Sequence, residues 1–378
     1  MEFGWTNEQQ QLREAAKAFA QQELNGHLSP GMGAETFPHA AWKRCADFGI
    51  HGLPVPHAYG GKGCDALTTV GVLEVLGYGC RDNGLLFALN AQLWGCTTPL
   101  MLFGTEAQKQ RYLPGICRGE LIGGIAITEP ETGSDIGNLK TTALRRNGGY
   151  ELNGQKTFIT NGPVADVIVV IAQLEEDAGP TAFLVEKTAP GFVRKGAMEK
   201  MGLRTAPVGE LSFEGCVVPA EARLGSEGGG KTVFASAMEW ERAFILASAL
   251  GTMQRLLEES TRYAKTRQQF GQPIGKFQLV ATKLVDMKLR LETSRWLIYH
   301  AAWLKAQGKR AFLEGSLAKL HTSDCWVRSC LDAIQIHGGC GYLNEFGLER
   351  ELRDAIPSAI YSGTSEAQRL IIARWLGL

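Results

Sequence analysis

The segment Met238-Glu239-Trp240-Glu241-Arg242 places two carboxylates two residues apart inside a run of helical periodicity. At about 100° per residue they lie about 200° apart around a helix, so they cannot share one task. Glu241 falls on a stripe with Met238, Ile245 and Ser248, and Ala247 and Ala249 lie close by. A carboxylate on an apolar stripe is costly unless it has a partner or a purpose, and desolvation raises its basicity. Those are the properties needed to take a weakly acidic proton from carbon. The alternative duty for Glu241 is a structural pair with a neighbour such as Arg242. A second stretch, Gly123-Gly124-Ile125-Ala126-Ile127-Thr128-Glu129-Pro130-Glu131-Thr132-Gly133-Ser134-Asp135, ends a short apolar run in hydroxyls, carboxylates and glycine. Such a turn presents hydroxyls and backbone N–H groups to something polar, and Gly133 permits close approach.

The elements that must position these groups change character along the chain. Thr6 with Gln9 and Thr105 with Gln108 form capping boxes that predict helix starts. Leu12, Ala15, Ala16 and Phe19 repeat at helical spacing, and Trp42 to Phe48 reads as a helix closed by Gly49. Residues 67–102 are apolar almost all round, as in buried helices, and the helix after Thr105 should stop before Pro114. From 141 to 219, β-branched runs such as 167–174 alternate with Asn-Gly breaks, which predicts a small antiparallel sheet or barrel. Helical periodicity returns over 233–265, 277–307, 310–336 and 364–375, which predicts a four-helix bundle. The expected units are an N-terminal helical domain (1–121), a β-barrel domain (122–230) and a C-terminal bundle (231–378), mainly α overall.

With 378 residues the chain can bury a large core. Its formal net charge is zero and it has no basic block, which argues against nucleic acid or anionic membranes as partners. No apolar run is expected to reach membrane-spanning length, and the first residues lack a signal-peptide pattern. Nine scattered cysteines without a C-x-x-C pair read as reduced, buried hydrophobes rather than a disulfide frame or metal site. The expectation is a cytoplasmic globular protein without a bound metal.

Four ordered motifs carry a resemblance to the acyl-CoA dehydrogenase superfamily. Residues 123–135 resemble its first signature, and 335–354, from Gln335-Ile336-His337-Gly338-Gly339-Cys340-Gly341-Tyr342 to Asp354, its second. Arg267-Gln268-Gln269-Phe270-Gly271-Gln272-Pro273-Ile274-Gly275-Lys276-Phe277-Gln278 is similar to its flavin-nucleotide segment. Tyr361-Ser362-Gly363-Thr364-Ser365-Glu366, with Ile371 to Arg374, is similar to its terminal motif. Pro56-His57-Ala58-Tyr59-Gly60-Gly61 resembles a family loop as well. The resemblance implies FAD, α,β-dehydrogenation of an acyl thioester, and an electron acceptor such as an electron-transfer flavoprotein or oxygen. It also implies a homo-oligomer, expected to be a tetramer.

In common members the base is a Glu in the terminal motif, where this chain has Ser362. Either the chain is a catalytically inactive flavoprotein scaffold, or the base has moved. One branch of the family puts it on the first bundle helix directly before an Arg, the position of Glu241. The resemblance then implies the Ser362 backbone N–H as the oxyanion donor, with Arg242 and Ser134 on the substrate side. For the flavin it implies Ile127, Thr128, Ser134, Phe158, Thr160, Thr364 and Glu366. Arg267, Phe270, Gln278, Gln335 and Gly339 are implied to reach a neighbouring subunit's flavin. Trp-Glu-Arg combined with Ser-Gly-Thr-Ser resembles dehydrogenases of acyl or aminoacyl groups on carrier proteins, such as prolyl-carrier proteins of natural-product biosynthesis. A short- or branched-chain acyl-CoA dehydrogenase is the alternative.

Overall fold

The computed structural model describes residues 4–28, 36–175 and 179–378. Both capping boxes form: Thr6 opens α1 (Asn7–Glu23) with Gln9, and Thr105 opens a later helix with Gln108. Helix α2 (His39–Phe48) ends on Gly49 in the left-handed conformation. Helices α3 (Ala66–Gly79) and α4 (Asn83–Gln92) are buried on almost every side, as their composition dictates. A five-residue π turn, Leu93–Thr97, joins α4 to α5 (Thr98–Phe103). This continuous stretch, Asn83–Phe103, is long and apolar enough to cross a membrane, contrary to the sequence expectation; most of it is buried inside the fold. Helix α6 (Glu106–Cys117) runs through Pro114 rather than stopping before it. A proline removes only one N–H, and packing of Leu113 and Ile116 holds the turn beyond it.

The sheet consists of β1 (Gly123–Ala126), β2 (Thr142–Arg146), β3 (Gly149–Thr160), β4 (Val167–Leu174), β5 (Gly179–Glu186), β6 (Phe192–Ala197), β7 (Val208–Pro219) and β8 (Arg223–Leu224). Its order is β6-β7-β3-β2-β4-β5-β8, with β1 beside β4, so it is open rather than a barrel. Nor is it wholly antiparallel: β4 pairs parallel with β1 and with the start of β2. The β2–β3 excursion, rather than a helix, supplies the crossover between β1 and β4 that parallel pairing needs.

The expected helix over 233–265 is two helices, α7 (Gly230–Phe244) and α8 (Ala247–Thr266). No glycine or proline marks the break at Ile245–Leu246. It lets α8 lie against α3 at Gly77 and Gly251, where a Cβ would meet the facing backbone at 1.8 and 1.9 Å. Ser248 therefore leaves the Glu241 stripe. A short hairpin, β9 (Gln268–Gln269) and β10 (Gln272–Pro273), leads into α9 (Gln278–Ala306), α10 (Phe312–His337), α11 (Leu348–Ala355) and α12 (Ser365–Trp375). The three regions meet at buried polar contacts. Asn83 donates to Glu351 (2.7 Å), and the Leu203 amide donates to Asp354 (2.6 Å).

Candidate functional site

Glu241 lies near the end of α7, half-buried as a residue but with its carboxylate oxygen Oε2 wholly shielded from solvent. Oε1 accepts a hydrogen bond from the Ser362 hydroxyl at 2.5 Å, whereas Oε2 has no partner among the described residues. Burial pushes the carboxyl above its usual range, and the Ser362 bond, Arg242 and Lys319 offset this only in part. No ion pair joins Glu241 to Arg242 among the described residues, and Arg242 Nε is itself buried without a partner. The two chain positions singled out in the sequence, 241 and 362, thus meet side chain to side chain.

The wall beside Oε2 comes from the π turn. A Cβ on Gly95 would stand 3.7 Å from Oε2 and 2.6 Å from Ile125 Cγ2, so glycine is what lets β1 come this close to the π turn. The extra residue of a π turn often marks a functional site. The sequence reading missed it because the surrounding run is uniformly apolar. Trp94 of the same turn stacks with Trp240, the residue between the two glutamates, at 5.9 Å.

The terminal turn is held from beneath. Lys319 Nζ donates to the Gly363 carbonyl (2.7 Å), and Gln368 Nε2 donates to the carbonyls of Ser362 (3.2 Å) and Gly363 (3.0 Å). Both side chains are buried. They keep Ser362 at φ +55° and Gly363 at φ +88°, and neither residue's N–H meets an acceptor among the described residues. Two amides left open beside a basic carboxylate can receive an oxygen on which negative charge grows. Burial and the nearby Arg242 bring the Lys319 ammonium down to about 8. Tyr361 packs on Phe87 at 4.5 Å, tying this turn to α4.

The loop after β1 is organised by a buried pair that the sequence reading did not single out. Lys156 Nζ donates to Glu129 Oε1 (2.7 Å) and to the Ile127 carbonyl (3.0 Å), and its side chain is 0% exposed. Glu129 also accepts from the amides of Lys140 and Thr141. Burial would raise its carboxyl, but Lys156 and these donors hold it at about 2. The only signal was a Glu and a Lys inside otherwise apolar or hydroxylic motifs, 27 residues apart.

Around this loop Ile127 is buried, Thr128 and Thr160 are half-buried, and Ser134 is exposed. A bulge in β3 turns Phe158 out at φ +57° and leaves it 66% exposed, while Thr157 N–H donates to the Thr128 carbonyl (2.9 Å). An uncovered aromatic face on a strand that also carries Thr160, beside the loop of Thr128 and Ser134, suits a planar heteroaromatic ring with polar edges, so these residues fit an isoalloxazine. Thr364 caps α12 by accepting from Ala367 N–H (3.2 Å), and Glu366 lies exposed in the first turn.

The other predicted residues are not brought to this place. Arg267, Gln278, Gln335 and Gly339 are all exposed, and Phe270 is 93% exposed on the β9–β10 hairpin. Gln335 stands 16 residues beyond Lys319 on α10, roughly 24 Å along the axis.

Comparison with known proteins accounts for almost the whole chain. Models of the acyl-CoA dehydrogenase N-terminal, middle and C-terminal domains match residues 6–120, 124–216 and 228–377. An L-prolyl-[peptidyl-carrier protein] dehydrogenase of Serratia sp. is 42% identical, over 100% of this chain and 99% of that protein. The crystal structure of the prolyl acyl carrier protein oxidase AnaB superposes with a TM-score of 0.97 at 53% identity, covering 99% of this chain and 100% of that one. PigA with FAD and proline gives a TM-score of 0.96 at 42% identity, covering both chains fully. The chain belongs to the acyl-CoA dehydrogenase family.

Proposed function

We propose that this protein binds FAD and oxidises the Cα–Cβ bond of an aminoacyl thioester, proline-like, carried on the phosphopantetheine arm of a carrier protein. The observation that carries the reading is the shielded, unpartnered oxygen of Glu241 beside two open amides. Similarity to AnaB, PigA and the Serratia dehydrogenase supports the substrate and, through PigA, the cofactor.

In this reading Glu241 Oε2 takes the proton α to the thioester carbonyl. The Ser362 backbone N–H, with Gly363 allowing close approach, receives the charge that develops on the carbonyl oxygen. Arg242 and Ser134 line the substrate side. FAD, when bound, supplies the acceptor for the hydride from the β carbon. Ile127, Thr128, Ser134, Phe158 and Thr160 hold its ring, with Thr364 and Glu366 beyond. One proton and one hydride leave, a C=C bond forms, and the two electrons pass on to an electron-transfer flavoprotein or oxygen.

Arg267, Phe270, Gln278, Gln335 and Gly339 serve the flavin of a second subunit in a homotetramer, which accounts for their exposure far from Glu241. The domain limits 1–121, 122–230 and 231–378 belong to the same reading. Nine free cysteines favour a reducing, cytoplasmic setting.

Side-by-side kinetics on the prolyl thioester of a carrier protein and on prolyl-CoA test the substrate. Contact with the carrier should raise kcat/KM by on the order of tenfold or more. Equal or better turnover of the CoA thioester would reassign the protein to the acyl-CoA-dependent branch.

A further inference from the structure

We infer that the Ser362 hydroxyl is a positioning residue for Glu241: by holding Oε1 it fixes which carboxylate oxygen is offered to the substrate. This deepens the reading of Glu241 as the base and rests on it. The terminal torsion of a glutamate is broad, so its carboxylate turns about that bond unless one oxygen is tethered. Here the tether is a single bond of 2.5 Å, and the other oxygen, Oε2, faces Gly95 without a partner among the described residues.

The tether is itself well supported. Ser362 sits in the left-handed region, which a non-glycine residue occupies only when its surroundings demand it. Lys319 and Gln368 supply the demand by gripping the carbonyls of 362 and 363. Among the described residues, the Ser362 hydroxyl is the side-chain group of the turn that hydrogen-bonds Glu241. A serine at this position is thus no relic of a missing glutamate, because it gives the displaced base a fixed orientation.

A hydroxyl that donates to a carboxylate also favours the charged form, so its loss must make Glu241 harder to ionise. Other groups act on the same carboxyl: Arg242 on its own helix and Lys319 from α10, while Tyr361 stands on the terminal turn. The Gly95 and Ile125 side carries no charge. None of these changes when the Ser362 side chain is cut back, which isolates the hydroxyl.

The test uses the FAD-loaded protein, the prolyl thioester of a carrier protein, and anaerobic stopped-flow reduction of the flavin between pH 5.5 and 9. Ser362→Ala and Ser362→Gly both remove the hydroxyl, but the glycine also removes backbone strain. Both should move the midpoint of the pH–rate profile upward by about one unit, roughly a tenfold loss at pH values below the midpoint. The rate should recover to within a few-fold at the alkaline plateau. Glu241→Gln is run alongside. If Glu241→Gln is inactive and neither serine variant moves the midpoint, the hydroxyl does not position the base, although Glu241 remains the base. If Glu241→Gln reduces its flavin at the parental rate, the reading of Glu241 falls and this inference falls with it.

Discussion

The loop after β1 and the end of α7 each withdraw a glutamate from water, and they treat it in opposite ways. Glu129 receives Lys156 and two backbone amides, and is held ionised at about 2. Among the described residues Glu241 receives one hydroxyl on one oxygen and nothing on the other, and burial pushes its carboxyl up. A buried carboxylate with every lone pair occupied fastens structure. One left partly empty is expensive and persists only where something else uses it. The difference teaches that burial alone does not set a carboxylate's duty; the informative quantity is how many of its hydrogen-bond positions remain open.

Exchange of each glutamate for glutamine sharpens that contrast, and the larger effect belongs to Glu241. Glu241→Gln keeps the shape and an acceptor for Ser362 while removing basicity. Flavin reduction by the thioester should fall by about 10²–10⁴-fold. Stability should not fall with it. A carboxyl raised in the folded state loses its contribution as pH rises through the folded value, so the variant should melt at or above the parent temperature at pH 8. A variant with full activity, or one that melts well below the parent, would dissolve the distinction between the two sites.

Glu129→Gln should do the reverse and act first on the fold. It leaves the Lys156 ammonium buried without its counter-charge, a loss of about 3–5 kcal/mol. The sign with pH is also opposite. The folded value of about 2 lies below the ordinary 4.5, so the contribution is present above 4.5 and fades as pH falls toward 2. The gap in melting temperature between parent and variant should therefore narrow between pH 6 and pH 3. A constant gap across that range would mean that the charge of Glu129 is not what fastens the loop.

Legibility in the sequence follows the range of the contacts involved. Capping boxes and the long helices 278–306 and 312–337 rest on residues three or four apart, and the periodicity places them within a residue or two. The place of Glu241 on α7 and the unusual Ser362 were readable as motif positions, but not that their side chains touch across 121 residues. Lys156 under Glu129, and Lys319 and Gln368 under the terminal turn, act between elements and leave no local pattern. The break after Phe244 and the parallel pairing of β4 are likewise imposed by packing, which overrides helical or hairpin preference.

The smallest expected effect refines the comparison within α7 itself. Glu239 does point away from Glu241, as helix geometry requires, but it is not an idle surface acid. Its Oε1 accepts from Lys305 Nζ (3.0 Å) and from the Ala311 amide (2.7 Å), and Lys305 lies over the Trp240 ring at 4.5 Å. The carboxylate thus secures the turn between α9 and α10, close to the start of the helix that carries Lys319. Glu239→Gln keeps an acceptor for Ala311 but loses the charge that faces a largely buried ammonium, a cost of about 1–3 kcal/mol. Thermal unfolding should register that loss, while flavin reduction at saturating substrate should stay near the parental rate, because Glu239 touches neither Glu241 nor the terminal turn. A fall in reduction rate as deep as that of Glu241→Gln, with stability unchanged, would mean that the two acids of α7 had been assigned the wrong way round.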